Sequence, residues 1–144
     1  MESWIKESLK EPLTSVGLLI IRVTVGLTMA LLHGWPKLAN FSERTETFAD
    51  PLGLGSTVSL VLAMGAEFFC SLLLVVGLFS RAAAVPLLFT MFVIVFLVQA
   101  GNDLAGTSRE LALVFGFCYL TLIFTGPGRF SLDHLLMKRK QTDE

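Results

Sequence analysis

Charge is scarce in this chain. Only 16% of its 144 residues are Asp, Glu, Lys or Arg, against roughly 25% in a soluble domain. The charges gather in short stretches between apolar runs, and the net charge is −1. That implies no nucleic-acid partner. Cysteine is scarcer still. Cys70 and Cys118 form no CxxC and no disulfide framework. Both suit small packing sites, whereas a redox pair needs Cα atoms within ~7 Å. The sequence has no phosphate-binding glycine loop and no nucleophile–base pair of recognisable spacing. It also has no internal repeat and no low-complexity segment.

What the chain has is apolar length. Hydrophobic residues make up 53% of it, and the mean hydropathy is +0.71. Four runs stand out, at about 13–32, 57–79, 82–100 and 109–126. About twenty residues at ~1.5 Å each cross a ~30 Å hydrocarbon core. A soluble all-α bundle would alternate polar and apolar faces, and "SLLLVVGLF" does not. The expected fold is an all-α membrane protein, a four-transmembrane-helix bundle forming one membrane domain over residues 1–144. Interfacial helices are expected at about 3–11, ending near Pro12, and at 131–138, with Ser131 as N-cap. Gly34 and Pro36 predict the end of span one. That span is too long for a signal-peptide core and reads as retained.

Lys and Arg near the spans set orientation. Lys6, Lys10, Arg81, Arg129, Lys138, Arg139 and Lys140 lie on one side, against Lys37, Arg44 and Arg109 on the other. Seven against three predicts both termini in the cytoplasm, in a multi-pass protein of the plasma (bacterial inner) membrane.

Two ionisable residues interrupt the apolar runs: Arg22 in span one and Glu67 in span two. A charge at mid-membrane costs about 2.5 to 3.5 kcal/mol on insertion scales. Counted from the cytoplasmic ends, the two differ in depth by only about 5 Å. A buried Arg22–Glu67 ion pair or a proton relay is the expectation, and a pair that merely fixes helix register is the alternative. Arg22, Gly26, Met29 and His33 share one helical stripe. His33 and Lys37 then join Asp50, Gln99, Asn102, Asp103 and Glu110 in an expected polar vestibule at the outer mouth. A metal site is not expected. His33 and Glu67 stand ~15 Å apart along the axis, too far for ligand bonds near ~2 Å.

These residues resemble the DoxX family of small four-span membrane proteins. The resemblance rests on Arg22, on "HGWPKL" with His33, Gly34 and Lys37, on "GAEFFCSLLLVVGLFSR" with Glu67 and Arg81, and on the closing "GPGRFSLDHLL". It covers about residues 15–136, and the loop near 43–52 is its less typical part. The resemblance implies a four-helix bundle in which Arg22, His33, Lys37, Glu67 and Glu110 matter most. Such proteins are similar to the membrane subunit of thiosulfate:quinone oxidoreductase, and others are linked to redox or oxidative-stress partners.

The expected function is therefore a membrane subunit of a redox system that binds a quinone or a soluble or membrane partner feeding one. In that reading His33, Lys37, Gln99 and Glu110 hold the head group and Glu67 relays a proton. The alternatives are a non-catalytic anchor for soluble partners and a small-molecule permease gated by Arg22 and Glu67. The small residues Ala63, Ala66, Ala112 and Gly116 permit close helix approach within a monomer, and equally a homodimer.

Overall fold

The computed structural model describes the backbone of residues 2–101 and 108–142, and the side chains of residues 12–101 and 108–139. Asn102 and Asp103 lie outside the described residues. Helix α1 runs unbroken over residues 2–39, as an α-helix over Glu2–Thr28, a π-type turn over Met29–Gly34 and a last α-helical turn over Trp35–Ala39. This corrects both expected ends. Pro12 sits inside the helix rather than closing a separate tail helix, at the cost of one backbone hydrogen bond. Pro36 does not stop it either. The wider turn before it shifts the hydrogen-bond register, so the proline starts a fresh turn, where its missing N–H matters least.

The short α2 (Phe41–Arg44) precedes α3 (Ser56–Val76), which carries a second π-type turn at Gly65–Cys70. Helix α4 (Ser80–Val98) ends in a third, at Ile94–Val98. Helix α5 (Ser108–Thr125) closes the bundle, and α6 (Leu132–Thr142) follows it. Pro12–Ala39 within α1, together with α3, α4 and α5, are each long and apolar enough to cross a membrane. Their outward faces carry large apolar side chains such as Ile20, Phe89, Phe92, Phe117 and Phe124. In water that surface would be a severe liability, and in lipid it is the expected one. The chain is an all-α, multi-pass membrane protein.

Helix α1 packs on α3, α3 on α4, α4 on α5, and α5 returns to α1. Met29, Leu74, Leu87, Met91, Phe115, Tyr119 and Leu122 fill the centre. Two glycines set the α1–α3 register. A Cβ at Gly34 would stand 2.7 Å from the Phe68 nitrogen and 2.8 Å from the Glu67 carbonyl oxygen, and one at Gly26 would stand 3.1 Å from the Ser71 oxygen. The backbones touch there because neither position has a side chain. The two π-type turns face each other across this contact. With Gly34 against Glu67 and Gly26 against Ser71 and Val75, the helices run antiparallel, and Arg22 falls opposite the end of α3.

The loop before α3 folds on itself. The Asp50 carboxylate accepts hydrogen bonds from the Leu54 N–H (2.9 Å), the Gly55 N–H (2.7 Å) and the Ser59 hydroxyl (2.8 Å). The Ser59 hydroxyl, then the Gly55 N–H, hold the Asp50 carboxyl below its ordinary range. Asp50 is thus a loop-forming residue rather than a vestibule ligand.

Candidate functional site

Arg22 and Glu67 are both buried, at 1% and 2% exposure, but each has another partner. The expected Arg22–Glu67 pair is corrected by the register. Arg22 sits where α3 and α5 end, and its guanidinium donates to the carbonyls of Pro127 (2.6 Å) and Phe130 (2.7 Å). These carbonyls belong to the Gly126–Pro127–Gly128 turn and its continuation. No helix ladder uses them, so a charged planar donor that reaches two at once satisfies them. Gly77 makes room. It adopts φ +76°, and a Cβ there would meet Ser131 at 2.6 Å and the Arg22 guanidinium at 2.8 Å. Asp133 locks the same corner. Its carboxylate accepts from the backbone N–H groups of Phe79 (2.7 Å) and Ser80 (2.9 Å), while its own N–H donates to the Gly77 carbonyl (2.9 Å). This holds Phe79 at φ +48°, a conformation that L side chains rarely adopt. Ser131 caps α6 as its sequence suggests, accepting from the His134 N–H at 3.2 Å.

Glu67 pairs with Lys37. The extra turns of α1 carry Lys37 one turn past His33, onto the stripe that faces α3. The Lys37 ammonium donates to the Glu67 carboxylate and also to the His33 carbonyl at 3.3 Å. Its side chain is 16% exposed and that of Glu67 is 3%, so the pair lies inside the bundle with its cationic end closer to the surface. Beside it stand two hydroxyls, of which the sequence marks Ser71 only as a small residue near Glu67 and does not mark Tyr119. Ser71 and Tyr119 are both fully buried. Their hydroxyls face one another near Glu67, and neither has any other hydrogen-bond partner among the described residues. The signals were present: Ser71 stands four residues from Glu67, on the same helix face, and Tyr119 is the chain's one tyrosine.

His33 joins this core through an aromatic chain. Its ring meets Phe115 edge-on at 6.2 Å, and Phe115 stacks on Tyr119 at 6.1 Å. Gln99 and Glu110 lie elsewhere on the same end of the bundle. Gln99 follows the last turn of α4, and Glu110 occupies the first turn of α5. Below them an apolar groove of about 180 Å³ runs between the two helices, lined by Met91, Phe92, Phe96, Ala112, Gly116 and Phe117 among others. Neither this groove nor the larger one at the opposite end is lined by Lys37, Glu67 or His33. Cys70 and Cys118 are both partly buried free thiols.

The DoxX family model matches residues 17–100. An uncharacterized protein of Haemophilus influenzae is 32% identical over 127 residues, covering 85% of this chain and 92% of its own length. The inner membrane protein YqjF of Escherichia coli K12 is 28% identical over 132 residues, covering 88% and 97%. An uncharacterized membrane protein of Mycobacterium tuberculosis is 34% identical over 87 residues, about half of each chain. No solved structure matches this chain.

Proposed function

Because this chain belongs to the DoxX family, we propose that it is the membrane subunit of a redox system that hands electrons to a quinone, residues 1–144 acting as one membrane domain. The observation that carries the proposal is the buried Lys37–Glu67 pair with the hydroxyls of Ser71 and Tyr119 beside it. Such a cluster suits the holding and passing of protons. Reducing a quinone takes two electrons, which the partner enzyme supplies, and two protons.

The donors fit the ligand. Quinone carbonyls accept hydrogen bonds, and the partly exposed Lys37 ammonium is a donor. The α4–α5 groove offers apolar walls for an isoprenoid tail, and Gln99 and Glu110, at the outer ends of the same two helices, are the proposed head-group contacts together with His33. Glu67 exchanges the proton with Lys37 as its counter-charge. Arg22 leaves the catalytic set and becomes the residue that fixes the turn after α5.

We assign both termini to the cytoplasm of a bacterial inner membrane. With Lys37 consumed by Glu67, only Arg44 and Arg109 remain as candidate flanking charges on the far side, which strengthens the bias. Mass spectrometry of the organic and protein fractions that co-purify in native-like lipid particles tests the function. A stoichiometric quinone in the wild type, lost in Glu67→Gln, is expected. A quinone-free extract with a stoichiometric soluble partner would replace the redox reading with that of a membrane anchor.

A further inference from the structure

A second, larger groove of about 1270 Å³ opens at the end of the bundle that carries both termini. It lies between α1 at Thr14 and Ser15, the start of α4, the turn after α5, and α6. Its wall is basic. Arg81, Arg129 and Arg139 all line it, from three separate elements. The one carboxylate among its lining residues, Asp133, is already engaged by two backbone N–H groups. Arg81 is held in place. Its guanidinium lies over Gly126, where a Cβ would come within 3.2 Å of it, and donates to the Phe124 carbonyl at 3.4 Å. That uses one of five donors.

Two further features point to an occupant. Ser80 lines the groove at 1% exposure, and its hydroxyl has no hydrogen-bond partner among the described residues. The rim is greasy, with Phe79 and Met137 exposed by 67% and 60%. A free metabolite would leave these side chains in water, whereas a lipid would cover them.

We propose that this groove binds the phosphate of an anionic phospholipid headgroup. The arginines engage the phosphate oxygens, the buried Ser80 hydroxyl donates to one of them, and the acyl chains run over Phe79 and Met137. Arginine suits this role because its planar fork matches phosphate geometry. Basic pockets at the ends of membrane helices are the expected place for such headgroups. The site is separate from the Lys37–Glu67 cluster and does not depend on the redox reading.

The test uses the full chain in phosphatidylcholine micelles with a minor fraction of phosphatidylglycerol, with retained lipid counted by native mass spectrometry. The wild type should enrich phosphatidylglycerol. Preference should fall about fivefold for Arg139→Gln and roughly thirtyfold for Arg81→Gln with Arg139→Gln, at about one basic-residue contribution each. Ser80→Ala should lower it severalfold. Arg44→Gln, in α2 away from the groove, should leave it unchanged. Arg139 is exposed on α6, so its single variant keeps the test valid if the double variant does not fold. Inorganic phosphate added at constant ionic strength should not displace the lipid. No enrichment in the wild type, undiminished enrichment in Arg139→Gln, or displacement by inorganic phosphate would each overturn the proposal, the last by making the ligand a soluble phosphate.

Discussion

Removing Glu67 from its pair tests the register directly. Glu67→Gln leaves the Lys37 ammonium inside the bundle without a counter-charge, with only neutral amide and carbonyl oxygens, that of His33 among them, as acceptors. Two unit charges at ~4 Å attract by about 4 kcal/mol at an effective dielectric near 20. Breaking one side of a buried pair costs about 3 to 5 kcal/mol. The lower figure applies here, because the Lys37 side chain keeps 16% exposure and its remaining carbonyl acceptor. Lys37→Met should cost a similar amount. The double variant should be no worse than either single one, since neither charge is then left alone, giving a coupling of about 3 kcal/mol. Arg22→Gln combined with Glu67→Gln should be additive within about 0.5 kcal/mol, because the Gly77 end of α3 lies ~15 Å along the helix from Glu67. SDS titration of the folded protein in mixed micelles measures the three single and two double variants. Coupling near zero for Lys37 with Glu67, or above about 1 kcal/mol for Arg22 with Glu67, would refute the register.

Three further outcomes follow from the geometry. Gly77→Ala should destabilise by more than the ~1 to 2 kcal/mol of a left-handed residue, because its Cβ also meets Ser131 at 2.6 Å; the same titration measures it. Gly34→Ala should cost about 1 to 3 kcal/mol by overpacking and separate Lys37 from Glu67, which a further Glu67→Gln would show as reduced coupling. At the Asp50 loop, the folded carboxyl titrates below its unfolded value of about 3.9, so its contribution is complete above that pH and is lost as pH falls through the lower folded value. Proteolysis of residues 45–55 should therefore be slow at neutral pH and accelerate only in acid, whereas Asp50→Asn should be cleaved readily at both. Equal rates for the two proteins at neutral pH would contradict the loop's closure.

The architecture was legible because lipid demands long apolar helices with internally satisfied backbones, and the four runs have that length. Helix ends were less so. Gly34 and Pro36 read as a stop, yet a π-type turn absorbs both, and periodicity cannot reveal such a turn in advance. That error of one to two turns hid the pairing. With α1 ended at residue 32, Lys37 belongs to a solvent-facing mouth and Arg22 is left as the available partner for Glu67. Once Gly34 meets Glu67 backbone to backbone, Lys37 comes within reach and Arg22 moves to the end of α3. Ser71 is legible as a neighbour of Glu67 on one helix face, but its approach to Tyr119 across the bundle appears only in the fold.

The α6 corner shows the opposite case. Ser131 reads correctly as the helix cap, but Asp133, two residues on, spans more than fifty positions to clamp the α3–α4 turn. Local pattern finds the cap, while the long-range contact appears only when α6 folds back on the bundle.

The proposed redox function puts a quinone tail in the α4–α5 groove and Glu67 on the route of the proton to its head group. Photo-crosslinking the full chain in lipid particles with an azido-quinone, followed by peptide mapping, tests it most directly. Labels are expected on residues 88–99 and 110–120, competed by unlabelled quinone and weakened in Glu67→Gln. Labels confined to the outer faces of α1 and α3, or labels that unlabelled quinone does not compete, would contradict it.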